Sequence, residues 1–192
     1  YRHFLRTRRS IRRFAPDPVP ASVIDTILAT ATFAPSAHNL QPWRFVRIQS
    51  DSAKEKLGEA LMAKMRGDME AENASQAKIQ ERIAVSLRRI AEAPVIILLC
   101  RDETAIQKDE QEEEIMGIQS VAIAGLQLLL GAHAEGLGGN WICWSLYAQE
   151  ATKKALDLPK SWLPEIIFFL GYANETPPNA VRKSLENLRI TI

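Results

Sequence analysis

The sequence predicts an α+β fold, and three observations carry that prediction. Apolar residues recur at helical spacing in several segments, most fully at Ile115, Ile118, Val121, Ala122, Gly125, Leu126, Leu129 and Leu130. The continuous apolar run at residues 95–100 and the Ile-Ile-Phe-Phe-Leu core within residues 165–170 have strand length and read as buried strands. Helices and strands follow one another without regular βαβ alternation, which argues against a doubly wound parallel sheet. No repeat and no linker divides the 192 residues, so residues 1–192 are expected to form a single domain around one core.

Residues 1–9 read as a first helix, and Asp17-Pro18-Val19-Pro20 breaks the chain into a turn. Ser22 and Asp25 have capping-box spacing, and Ile24, Ile27, Leu28 and Ala31 continue a second helix toward Pro35. Residues 44–48 read as a strand because three of their five positions are β-branched or aromatic. Ser52 and Glu55 offer a second capping box for a helix through Leu57, Ala60, Leu61 and Met65. Residues 69–73 turn polar and suggest a mobile connection, with residues 65–73 as a flap over a binding face. Ile79, Ile83, Leu87 and Ile90 then form a helical stripe that stops at Pro94.

After the apolar run at 95–100, residues 102–114 are charged and expected to be exposed. Their five carboxylates between Asp109 and Glu114 read as a solvated helix start rather than a metal cluster. The long apolar helix from Ile115 ends at Glu135-Gly136. A strand is expected at 140–146, a short helix at 148–156 and a strand at 165–170; the tail from Asn174 is Pro-rich, then basic, then β-like at 188–192.

A net charge of +1 argues against a dedicated nucleic-acid or acidic-membrane partner. Cys100 and Cys143 lack metal or disulfide spacing and sit in apolar stretches, consistent with a reducing cytoplasm and two buried thiols. No signal-like segment opens the chain, and no uninterrupted apolar run approaches the length of roughly 18 residues that a membrane span needs.

Against this even background two segments stand out. Arg8-Arg9-Ser10-Ile11-Arg12-Arg13-Phe14 gathers guanidinium groups around a hydroxyl, and an Arg fork can donate paired charge-assisted bonds to phosphate oxygens. Ala34-Pro35-Ser36-Ala37-His38-Asn39-Leu40-Gln41-Pro42-Trp43 is a Pro-bounded turn rich in groups that can face a polar heteroaromatic ring. Taken alone, the first could be a solvated basic arm and the second a common turn. Glu135-Gly136-Leu137-Gly138-Gly139 does not match a dinucleotide fingerprint, since it follows a helix and precedes a strand. No Ser-His-Asp set, HExxH motif or carboxylate pair suggests a catalytic side chain.

These segments, followed by Gly171-Tyr172 and Arg182-Lys183, occur in the order found in the FMN-dependent nitroreductases, and the resemblance covers nearly the whole chain. Within that family the chain looks most similar to the flavin domain at the C-terminal end of the deazaflavin-coenzyme glutamate ligase, through Glu92-Ala93-Pro94 and Met65-Arg66-Gly67-Asp68. The resemblance implies a mixed central sheet flanked by helices in an interlocked homodimer. It implies that Arg8, Arg9, Ser10 and Arg12, with Arg182 and Lys183, hold FMN by its phosphate and ribityl chain; Arg8, Ser10 and Arg12 rank ahead of Arg9. Pro35, Ser36, Ala37, His38, Asn39 and Gln41 would cover the flavin from the other subunit, while Gly136, Leu137, Gly138 and Gly139 would approach its ring.

Arg66 or Asp68 would touch the substrate. The implied activity is hydride transfer from NAD(P)H through FMN to a small electron-poor acceptor such as a nitroaromatic or quinone, with a deazaflavin coenzyme or its precursor as the alternative. A flavin carrier without turnover and an Arg-rich nucleic-acid binder are the rivals from other classes, and the second lacks interleaved aromatic residues.

Overall fold

The computed structural model describes residues 1–108, 110–178 and 180–192. Of the expected acidic run, Asp109 lies outside the described residues. Four strands, β1 (Trp43–Ile48), β2 (Val95–Asp102), β3 (Gly138–Ile142) and β4 (Trp162–Gly171), form one sheet in the order β1-β2-β4-β3. All three ladders are antiparallel. The parallel component of the expected mixed sheet is a single bridge, Ser10 to Gly139, among the described residues.

Alternation along β2 builds a core on each face. Ile97 and Leu99 point into a cluster with Ile24 and Ile27 of α2 (Ala21–Ala31) and Val121, Ala124 and Leu128 of α5 (Gln111–Ala134). Ile96, Leu98 and Cys100 point the other way, onto Leu57 and Leu61 of α3 (Asp51–Ala71) and Ile79, Ile83 and Ile90 of α4 (Gln76–Glu92). The two-residue period of a strand thus sorts one apolar run into two cores. The remaining helices are α1 (Arg2–Thr7), α6 (Trp144–Tyr147) and α7 (Gln149–Ala155).

Several local expectations are corrected. Neither proposed capping box forms: α2 starts behind Pro20 without a side-chain cap, and α3 is capped by Ser50, whose hydroxyl accepts from the Ala53 amide at 3.2 Å. The expected flap at 65–73 is helical to Ala71, because Met65 and Met69 pack on the second core. The strand at 140–146 starts earlier, with both glycines inside β3, and yields to α6 after Cys143. The tail at 188–192 joins no strand and its apolar residues are exposed.

Helix α5 is long and apolar enough to cross a membrane, yet half of that stretch is buried inside this fold. Its remaining apolar side chains, Ile115, Ile118, Ile123 and Leu126, lie open along the outer face. Cys100 is buried as expected, and burial, helped by the Glu165 charge, pushes its thiol up to about 12, so it is inert near neutrality. Cys143 is exposed, contrary to expectation, and its Sγ accepts from Trp141 Nε1 at 3.1 Å.

Candidate functional site

The arginine segment leaves α1 in extended form and is tied to the edge of the sheet. The Ile11 amide donates to the Gly139 carbonyl at 3.0 Å, the Ala15 amide to the Tyr172 carbonyl at 2.9 Å, and the Asn174 amide to the Arg13 carbonyl at 3.0 Å. Where this segment crosses β3, space is short. A Cβ on Gly138 would lie 2.5 Å from Ile11 Cγ1, and one on Gly139 would lie 2.6 Å from Leu129 Cδ2. Both glycines therefore let the segment and α5 close on the strand. Gly136 has φ +76° and ends α5 in a left-handed turn, from which the Leu137 amide returns to the Ala132 carbonyl at 2.8 Å. Gly138→Ala is expected to lower stability by about 1–3 kcal/mol through overpacking, read as a lower urea midpoint at unchanged slope.

Arg6, Arg8 and Arg9 meet Arg182, from the other end of the chain, around one pocket of about 420 Å³ closed by Leu5 and Ala180. No carboxylate is among these walls in the described residues, so the pocket gathers positive charge. Ser10 sits beside it on the strand edge, bridged to Gly139. Arg12 is not in the wall; its amide and that of Arg13 donate to Glu175 Oε1. Lys183 is exposed next to Arg182 and is likewise outside the wall. Arg6 is the residue that sequence reasoning missed, its signal being one turn of helix ahead of Arg9, whose guanidinium donates back to the Arg6 carbonyl at 2.6 Å.

The second segment forms a fixed, strained loop. His38, Asn39 and Gln41 have φ of 51°, 55° and 50°, a region that residues with side chains rarely adopt. Ser36 Oγ accepts from the Gln41 amide at 3.0 Å, Asn39 Oδ1 accepts from Gln41 Nε2 at 3.1 Å, and Ser120 Oγ accepts from the Ala37 amide at 3.2 Å. His38 Nε2 lies 3.9 Å from Glu113 on α5, and Pro35 precedes the turn.

Its base is locked by Arg44, which donates to the Gln41 carbonyl at 3.1 Å and pairs with Asp102 at 2.8 Å. Burial pushes the Asp102 carboxyl up, but bonds from the Thr104 hydroxyl and amide and from Ser161, with the Arg44 charge, outweigh it and hold the carboxyl below its ordinary range.

Within one chain these two halves lie apart. The loop sits on the first half of α5, at Glu113 and Ser120, whereas α1 packs at its far end: Phe4 stacks on His133 at 4.8 Å, and Thr7 Oγ1 lies 3.2 Å from His133 Nε2. At about 1.5 Å per residue the two contact points are about 20–30 Å apart along the helix. Of the expected substrate contacts, Asp68 lines a separate cavity, where Lys64 pairs with it, while Arg66 does not.

The profile of the nitroreductase family matches residues 5–172. The chain belongs to the nitroreductase family. A putative NADH dehydrogenase/NAD(P)H nitroreductase of Methanothermobacter thermautotrophicus is 30% identical over 179 residues, covering 90% of this chain and 77% of the relative. The 5,6-dimethylbenzimidazole synthase of Rhodospirillum rubrum is 31% identical over 175 residues, covering 89% and 81%. Among solved structures, a putative nitroreductase of Desulfovibrio desulfuricans in complex with FMN superposes at TM-score 0.78 and 25% identity, covering 99% of this chain and 95% of that one. This nitroreductase-family chain thus carries the α+β fold expected of it, and the arginine segment, strained loop and glycine strand all lie inside or beside the matched region.

Proposed function

We propose that this nitroreductase-family protein is an FMN-dependent oxidoreductase that takes hydride from NAD(P)H and delivers it to a small electron-poor acceptor such as a nitroaromatic or a quinone. The convergence of Arg6, Arg8, Arg9 and Arg182 from opposite ends of the chain on one pocket carries this reading. The donor set fits a phosphate dianion, since Arg6, Arg8 and Arg182 bring planar guanidinium N–H groups to a wall that holds no carboxylate among the described residues. Bound FMN would supply the hydride-transfer chemistry, which accounts for the lack of any motif for a catalytic side chain. The chain's own residues would bind and orient: Arg8 and Arg182 would clamp the phosphate with Arg9, Ser10, Arg12 and Lys183 nearby, and the turn at Gly136 and Leu137 with the first residues of β3, Gly138 and Gly139, would offer backbone to the ring. Pro35, Ser36, Ala37, His38, Asn39 and Gln41 present amide, hydroxyl and imidazole groups held in place by their own hydrogen bonds.

The separation of about 20–30 Å between the two halves along α5 supports completion of each site by a second copy of the chain. The open stripe Ile115, Ile118 and Leu126 and the exposed tail give such a dimer its apolar surface. A homodimer burying more than ~2,000 Å² is expected, and deleting residues 187–192 should lower dimer stability and flavin retention together. A sedimenting monomer that retains one FMN per chain would end this architecture.

The absorbance of the purified protein tests the cofactor, with oxidised-flavin bands and FMN released on denaturation as the expected result. Anaerobic mixing with NADH and NADPH tests turnover: rapid bleaching followed by recovery on adding a quinone supports the reductase, and a flavin that does not bleach makes it a carrier. The likeness of Glu92-Ala93-Pro94 and Met65-Arg66-Gly67-Asp68 to the deazaflavin-ligase domain makes a deazaflavin the second acceptor class to assay.

A further inference from the structure

Helix α1 brings Arg6 to the arginine pocket and leads the chain to Arg8 and Arg9, yet little in its own sequence holds it in place. It has six residues, buries none of them and carries no side-chain cap, and a helix that short is not stable by itself. Phe4 and Thr7, three residues apart on one face, are half-buried, and the rest of α1 is exposed. Among the described residues, the ring stacking and the side-chain hydrogen bond that join this face to the body of the fold both fall on His133.

We propose that His133 is the positioning residue of the phosphate pocket, acting through α1 and its arginines rather than on the cofactor. The inference rests on the FMN reading above and adds to it a residue outside the arginine segment, the loop and the glycine strand.

The hydrogen bonds fix how the imidazole works. Thr7 has one hydroxyl proton, and Oγ1 donates it to the Phe4 carbonyl at 3.1 Å. The contact of 3.2 Å between Thr7 Oγ1 and His133 Nε2 therefore has the imidazole as donor, which places a proton on Nε2. The Phe4 ring lies on the same imidazole, with centroids 4.8 Å apart and planes 28° from parallel. A hydrogen bond sets direction and a stacked ring sets distance, so together they seat α1 on the end of α5.

The backbone of the same residue reaches the other end of the site. His133 lies in the last turn of α5, and its carbonyl accepts from the Gly136 amide at 3.3 Å in the left-handed turn that leads to Gly138 and Gly139. Its side chain thus holds the helix that delivers the phosphate arginines, while its carbonyl belongs to the turn that would face the flavin ring. One residue ties the two together.

Dissociation constants of the full chain for FMN and for riboflavin, which lacks the phosphate, test this role. The parent is expected to bind FMN more tightly than riboflavin. His133→Leu, which removes donor and ring, should weaken FMN about tenfold and riboflavin less than about twofold. His133→Gln, which keeps an N–H donor, should recover part of the FMN affinity. Should His133→Leu fail to fold, Thr7→Val and Phe4→Leu, which change α1 alone, carry the test with an expected loss of about threefold each for FMN. A parent that binds FMN no better than riboflavin refutes the phosphate pocket and the role of His133 with it. A parent that prefers FMN, beside variants that keep this preference or lose both flavins equally, refutes the role of His133 alone.

Discussion

Replacing Arg101 by methionine is expected to cost about 3–5 kcal/mol of folding stability, the effect of stranding a buried charge. Arg101 is 3% exposed and its Nε donates to Glu165 Oε1 at 2.7 Å, while Glu165 is itself 4% exposed; Nη2 reaches Glu114 at 3.3 Å. Burial pushes the Glu165 carboxyl up, the Arg101 bond and charge oppose that, and Glu114 adds to the rise. Without Arg101 the carboxyl rises further. The folded state then keeps its proton where the unfolded chain, with a value near 4.5, has released it.

The folded state binding more protons means that stability falls as pH rises through that window. The deficit of Arg101→Met should thus be smallest near pH 4 and grow toward neutrality. Urea unfolding at the two pH values measures it, and Arg101→Met with Glu165→Met should recover most of the loss. A deficit equal at both pH values in the single variant would show that the stranded carboxylate is not its source. The pair also supports the candidate site, because the next residue, Asp102, is the anchor of the strained loop.

That ion pair marks where the sequence stops being legible. The apolar run at 95–100 announces a central strand, but β2 continues through Arg101 and Asp102 with both fully inside. Charged residues carry no hydrophobic signal, and the partners that make their burial tolerable, Glu165 and Arg44, are distant in the chain. Helix starts failed for a related reason: the spacing at Ser22 and Ser52 satisfies a local rule, yet Pro20 and Ser50 set the boundaries. The glycines of β3 fall outside the strand expected at 140–146 because the reason for them, the passage of Ile11 and Leu129 across the strand, is a tertiary contact.

The site divides in the same way. Arg8, Arg9 and Arg182 line one pocket, a grouping that the family resemblance implied and residue type alone did not, whereas Arg6 enters the pocket through helix geometry and the Arg12 amide turns to Glu175. Polarity and prolines announce the loop at 35–42. Its three left-handed residues do not announce themselves, since the loop is held by hydrogen bonds that Ser36 and Ser120 accept and Arg44 donates, made by side chains folded back onto it.

Arg8→Ala combined with Arg182→Ala is expected to weaken FMN binding by at least about 100-fold. Each guanidinium lost from a phosphate removes a charge-assisted bond worth about 1.5–3 kcal/mol, and two such losses exceed the ~2.8 kcal/mol that corresponds to a hundredfold change. Arg12→Ala should act less strongly, below about tenfold, because its side chain is outside the pocket wall and its amide, which the substitution keeps, makes the bond to Glu175. Arg8→Lys should recover part of the affinity, since charge survives while the paired fork does not. Fluorescence of FMN released on dilution reads the dissociation constant, and far-ultraviolet circular dichroism checks that each variant is folded. A double variant that keeps the parent affinity for FMN would move the phosphate away from this pocket and, with it, the proposed orientation of the whole site.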